Sequence, residues 1–301
     1  MTAPKPQVYP MTRFYIAALA ALVATPALAD MTVSIPFAAE IGGKPFSCAE
    51  TFAGLGSTAT EVQAVDYRLF VSEAALMKAD GSLQPITLEQ DGQWQLDGLA
   101  LLDFEDASGA CANGTAGVNT TLRGTVPDGD YTGLAFTIGV PFAQNHVDPT
   151  VSAAPLNTTA MFWNWQGGYK FVRIDLVPTA MMGMTEEAGA AAGGGHGKAK
   201  GWFLHLGSTM CDAASKTEAP TACANENRMA IRLDGFDPAA NTVVIDPAPV
   251  LAEADLMVNA PETSPGCMSF PKDADCMTVM GKLGLPYMDM PASTQALVST
   301  R

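Results

Sequence analysis

The stretch Met161-Phe162-Trp163-Asn164-Trp165-Gln166-Gly167-Gly168-Tyr169-Lys170-Phe171 places a soft thioether beside two oxidisable indoles. In an extended segment alternate side chains share a face, so Met161, Trp163 and Trp165 point the same way. Methionine and tryptophan on one strand face ordinarily fill a core. They also offer chemistry, because thioether and imidazole together are donors that suit copper, Cu(I) above all. The chain has three histidines, His146, His196 and His205. His205 sits in the strand-like run Gly201 to Gly207. His146 lies in the loop Asn145-His146-Val147-Asp148-Pro149, where Asx side chains often bond the backbone. His196 lies in a Gly/Ala-rich loop and reads as solvated. A metal site made from Met161, His205 and His146 requires the fold to gather distant segments.

Other chemistries have less to stand on. Asp103 and Glu105 occupy alternate strand positions and could form the carboxylate pair of a secreted β-sandwich that binds or hydrolyses carbohydrate. Acidic pairs are equally common on solvated faces. No Gly-x-Ser-x-Gly, phosphate loop, spaced-carboxylate calcium loop or Cys-x-x-Cys is present. Six cysteines (Cys48, Cys111, Cys211, Cys223, Cys267, Cys276) point to disulfides in an exported chain. Six cysteines allow 15 pairings. Local spacing suggests Cys211–Cys223 and Cys267–Cys276, which leaves Cys48 with Cys111.

The elements that would position these groups read as β-structure. Alternating apolar runs recur at Met31 to Ala39, Gln63 to Met77, Leu83 to Leu88, Leu99 to Phe104, Thr121 to Val126 and Tyr131 to Val140. They are separated by Asp-Gly and Gly-Gly turns. Met161 to Leu176 reads as two strand pieces broken at Gly167-Gly168. Gly201 to Gly207, Met229 to Phe236 and Thr242 to Ile245 follow. Short helices are expected at Pro247 to Ala254 and Cys276 to Leu283. The pattern predicts an all-β fold, a β-sandwich or barrel-like antiparallel core with long loops and short helices. Residues 181–200 form a Gly/Ala/Met loop. Residues 259–301 read as an irregular, disulfide-bearing tail whose end, Met288 to Arg301, is frayed.

Residues 1–29 have the form of a secretory signal. Lys5 and Arg13 precede the apolar run Phe14 to Val23, which is too short to cross a bilayer, and Ala27-Leu28-Ala29 matches a cleavage site. No membrane span is expected, and residues 30–301 read as a single periplasmic or secreted domain. Residues 1–29 hold two of the 16 basic residues and none of the 31 acidic ones, leaving 14 against 31, a net charge of −17. Such a surface does not suit nucleic acid or an anionic membrane.

Taken together, several segments resemble the MbnP-like family of metallo-mystery-pair four-Cys-motif proteins. They are Pro45-Phe46-Ser47-Cys48, Leu101-Leu102-Asp103-Phe104-Glu105 with Cys111-Ala112-Asn113-Gly114, and Gly139-Val140-Pro141-Phe142 with Asn145-His146-Val147-Asp148-Pro149. Pro155-Leu156-Asn157, Met161-Phe162-Trp163-Asn164-Trp165 with Gly168-Tyr169-Lys170-Phe171, and Phe203-Leu204-His205-Leu206-Gly207-Ser208 before Cys211 complete the set. The resemblance implies a non-enzymatic periplasmic Cu(I)-binding protein of copper homeostasis. It implies a partner, a di-haem c-type cytochrome of the cytochrome c peroxidase/MauG class, which oxidises the first tryptophan of Trp-x-Trp to kynurenine. Carried over, Trp163 is the modified residue and Met161 and a histidine are ligands, His205 ahead of His146. Trp165 would pack nearby or relay electrons. Cys267 and Cys276 exceed a four-Cys pattern, and residues 181–196 look like an insertion.

Overall fold

The computed structural model describes residues 1–5, 7, 29–164, 166–182, 201–215 and 218–301. The signal segment, Trp165, His196 and most of the Gly/Ala/Met loop therefore lie outside the described residues. Among the described residues no helix is long and apolar enough to cross a membrane.

The fold is all-β. Two sheets face each other and enclose one apolar interior. The smaller sheet is built on Asp30–Ile41. Thr121–Pro127 pairs antiparallel on one side and Val243–Ile245 parallel on the other. The larger sheet is built on an 18-residue strand, Thr60–Met77. Its C-terminal half pairs with Gly133–Ile138, its N-terminal half with Val172–Pro178, and Leu99–Asp103 pairs in between. Trp202–Leu206 extends the sheet beyond Val172–Pro178. The sandwich closes where Phe37 meets Phe136 edge-on and where the Tyr67 hydroxyl donates to the Ile245 carbonyl at 2.7 Å.

Period-2 alternation makes Tyr67, Leu69, Ile174 and Leu204 face the sandwich interior, while Asp66, Arg68, Phe70, Arg173, Asp175 and His205 face the other way. This outer face is not left to solvent. Tyr169 packs edge-on against Phe70, and Phe171, bonded by its backbone to Phe70 and Leu206, is buried beside it. The sheet is therefore buried on both sides near its centre, and Leu99–Asp103 is buried at all five positions. Burial on both sides produces continuous apolar runs instead of clean alternation.

Several expectations are corrected. Two strand pairs are parallel: Asp30–Ile41 with Val243–Ile245, and Trp202–Leu206 with Gly266–Cys267. Met161 ends a 3₁₀ turn, Thr159–Met161, and the strand begins only at Phe162. It therefore does not share a strand face with Trp163. In place of a helix over Cys276 to Leu283 there are two short 3₁₀ turns, Ala274–Cys276 and Gly281–Leu283. The C-terminus is not frayed: Val298–Thr300 pairs with Val243–Ile245, and Leu297 is buried. The tail is held because it supplies a sheet edge with backbone partners. A hairpin with no forewarning in the alternation, Thr209–Asp212 with Ala222–Asn225, pairs Cys211 opposite Cys223.

Candidate metal centre

The three disulfides are Cys48–Cys111, Cys211–Cys223 and Cys267–Cys276, as local spacing suggests. No cysteine is free, so thiolate metal ligation is not available in this state. His146 Nε2 lies 3.5 Å from Cys223 Sγ. His146, Cys211 and Cys223 bring their donor atoms within 4.8 Å of one another, but both sulfurs are spent in the disulfide.

His205 has the surroundings of a ligand. Cross-strand register sets Arg173 opposite His205 and, on the other side, opposite Arg68. From His205 a chain of charge-assisted hydrogen bonds crosses the sheet. His205 Nε2 is 2.6 Å from Asp175 Oδ1. Arg173 donates to Asp175 Oδ2 through Nε and Nη2 at 2.9 and 2.8 Å. Its Nη1 lies 3.0 Å from Asp66 Oδ2, and Arg68 donates Nε to Asp66 Oδ1 at 2.8 Å. Arg68 Nη1 then faces Glu105 at 3.7 Å. Burying so many charges is tolerable only because each is paired. Burial opposes ionisation of Asp175, yet the hydrogen bond from His205 and the positive charges around it hold the carboxyl down at about 2. Burial pushes the His205 imidazole below its ordinary value, against the pull of Asp175.

Asp175 is therefore a carboxylate, and a neutral His205 donates Nε2–H to it. Nδ1 must then carry the lone pair. That atom is buried and has no hydrogen-bond partner. A buried basic nitrogen with its other ring nitrogen locked on a carboxylate is the arrangement that prepares a histidine for a metal ion.

Trp163 lies beside this imidazole. It is half-buried, with its ring centroid 6.5 Å from that of His205 and 5.7 Å from that of Phe270. Its place depends on glycine: a Cβ on Gly207 would meet Trp163 Cζ3 at 2.5 Å. Gly168, at φ +70°, turns the chain where the Asn145 backbone leaves no room for a side chain. Asn145 Oδ1 accepts from the Tyr169 N–H at 2.8 Å, and its Nδ2 donates to Ser208 Oγ at 3.3 Å. The loop carrying His146 is thus stitched to the turn after His205. Met161 is fully buried. The carbonyl before it, Ala160 O, accepts from Lys170 Nζ at 2.8 Å and Arg173 Nη1 at 3.1 Å. The guanidinium that braces Asp175 therefore also bonds the turn that ends at Met161.

Asp103 and Glu105 do not form an open carboxylate pair. Both are fully buried. Thr115 Oγ1 donates to Asp103 Oδ2 at 2.7 Å, and the Thr115 and Ala107 N–H groups donate to the two Glu105 oxygens at 2.6 and 2.9 Å. The pair anchors the Cys111 loop and faces Arg68, leaving no carboxylate free to meet a substrate. Asp175, Arg173, Gly207 and Phe270 are the site residues that residue-type reasoning missed. The one local signal was Asp66-x-Arg68 and Arg173-x-Asp175, opposite charges at strand spacing inside otherwise apolar runs.

No curated protein matches the chain. A solved structure, MbnP from Methylosinus trichosporium, is similar to it with a TM-score of 0.78 and 31% identity, covering 91% of this chain and 99% of that one. The sequence model of the MbnP family matches residues 30–269, which include the whole Met161–His205 region. On that match, and on the shared fold, the chain belongs to the MbnP family.

Proposed function

We propose that this protein is an exported Cu(I)-binding protein whose site is made by His205 and Met161 and completed by oxidation of Trp163 to kynurenine. The carrying observation is His205 Nδ1, a buried nitrogen with no hydrogen-bond partner, on a ring whose Nε2 is held by Asp175 next to Trp163. The donor set fits the ion: imidazole and thioether favour Cu(I) over hard cations. Three disulfides fit an oxidising compartment outside the cytoplasm. The acidic balance of the chain favours a cationic cargo.

As a plain indole, Trp163 presents an apolar ring to His205. Ring opening adds two oxygen atoms across the C2–C3 bond, which breaks. Hydrolysis of the resulting formamide then releases the C2 carbon as formate. The residue keeps an aniline nitrogen and a ketone, so the pocket gains polar donors only after the reaction. The two oxygen atoms enter from water as four electrons leave the indole and four protons are released; the proposed electron acceptor is a di-haem cytochrome, which passes the electrons on to peroxide. Trp163 is half-buried, which permits electron withdrawal by a docked partner. His146, tied to the Ser208 turn, is the second candidate ligand.

The test is co-expression with a di-haem cytochrome, followed by intact mass, peptide mapping and copper analysis. One carbon lost and one oxygen gained at Trp163, with copper bound in proportion and lost in His205→Ala and Met161→Ala, is the expected result. An unmodified Trp163 together with no bound copper overturns the reading.

A further inference from the structure

A cavity of about 330 Å³ opens beside the Ser269-Phe270-Pro271 segment, whose Phe270 touches Trp163. Ser269, Pro271, Met210, Asn225, Asn227 and Met288 are among the residues that line it. The segment is a shared wall. Ser269 Oγ donates to the His205 carbonyl at 2.9 Å, and Phe270 lies against the Trp163 ring. Asn227 Nδ2 donates to the Gly207 carbonyl at 2.8 Å, and Asn225 Nδ2 to Thr209 Oγ1 at 3.0 Å. The residues that line the cavity therefore also hold the chain immediately after His205.

The lining contains two large exposed methionines, 64% and 55% accessible at Met210 and Met288. Both sit at positive φ, +54° and +51°, where a side chain is strained and Gly or Asn is the ordinary choice. Neither fills a core. No carboxylate, lysine or arginine lines the cavity, so it offers no anionic ligand to a hard cation and no counter-charge to an anion. What it offers is two thioether sulfurs and, once Asn225 and Asn227 have spent their N–H groups, their amide oxygens. That donor set selects a soft monovalent ion.

We propose that this cavity is a second soft-metal site, an entry vestibule in which Met210 and Met288 capture Cu(I), or its analogue Ag(I), one wall away from His205. The role as an entry site rests on the Cu(I) reading of His205. Thioether capture by Met210 and Met288 can be read separately. An exposed thioether pair exchanges ions readily, whereas His205 and Met161 are buried, so the two sites divide capture from retention.

The experiment titrates Ag(I) into the full exported chain, co-expressed with the di-haem cytochrome so that Trp163 is oxidised, and labelled at the methionine ε-methyl carbons, with wild type, His205→Ala and Met210→Leu/Met288→Leu compared by NMR and metal counting. The expected result is that the Met210 and Met288 methyl signals shift in both wild type and His205→Ala. In the double leucine variant one fewer ion is bound, while the Met161 methyl still responds. Leucine matches methionine in volume, and both positions are exposed, so folding should be kept. Should the variant misfold, the methyl shifts in wild type and His205→Ala decide alone. If the Met161 methyl moves and those of Met210 and Met288 do not, the vestibule is refuted and the His205 site stands. If no methionine methyl moves, both fall. An unchanged ion count in the folded double variant also overturns the vestibule.

Discussion

At the scale of single residues, the proposed site turns on which nitrogen of His205 is free. Asp175 takes Nε2–H at 2.6 Å and is itself gripped by Arg173. Asp175→Asn keeps the shape and removes the charge that fixes the tautomer. Carboxylates behind a ligating histidine are typically worth about 10–100-fold in affinity. A loss of that size is expected in copper competition titrations of Asp175→Asn, with near-native circular dichroism. Asp103 gives a pH prediction away from the metal donors. Burial pushes its carboxyl up to about 7 from an ordinary 3.8. A raised carboxylate value means that the folded state binds the extra proton between those limits, so this group's contribution to stability declines as pH rises from about 4 to 7. Asp103→Asn removes that titration while its side-chain oxygen can still accept from Thr115. The expected outcome is a flatter Tm profile across that window, with a difference of up to about 4 kcal/mol between its ends.

At the scale of elements, Gly207 is the position where the strand Trp202–Leu206 must end for Trp163 to lie beside His205. Gly207→Ala puts a methyl into the indole. Overpacking of this kind costs about 1–3 kcal/mol. The expected signs are a shifted Trp fluorescence spectrum and loss of copper at a smaller loss of Tm, a split that general destabilisation would not produce. The hairpin Thr209–Asp212 with Ala222–Asn225 is closed by Cys211–Cys223 and carries Met210 and Asn225. Replacing both cysteines by serine should lower stability by about 2–4 kcal/mol and spare the secondary structure of the two large sheets, as read by hydrogen exchange.

At the scale of the molecule, the tail is structural. Its strand Gly266–Cys267 pairs with the strand bearing His205, and its last strand, Val298–Thr300, closes the edge of the smaller sheet. Arg301 also pairs with Glu40, a residue of the first strand. Removing residues 297–301 takes away the buried Leu297 and exposes the backbone of Val243–Ile245. Loss of a buried leucine alone costs about 2–5 kcal/mol, so the truncated chain should melt at least several degrees lower and aggregate through its bared edge.

The sequence by itself determined the fold class and most strand positions, because alternation and Asp-Gly turns are local signals, and short separations suggested Cys211–Cys223 and Cys267–Cys276; the structure decided the pairing, including Cys48–Cys111 across 63 residues. Residue type marked Met161, Trp163 and His205 as candidates, and the resemblance to the MbnP-like family gave them their expected roles. What only the tertiary structure decided is how those groups are served. Asp175 is 30 residues from His205, and Asp66 is further still. They meet because of strand register, a non-local quantity that no local periodicity records. The same holds for Asp103 and Glu105. In the sequence they look like a solvated or reactive pair, and only the covering loop and Arg68 make them a buried anchor. Met161 lost its strand position for the same physical reason. Its backbone closes a 3₁₀ turn held by Arg173 and Lys170, and that tertiary contact outweighed an alternation that residues 161–165 could equally have followed.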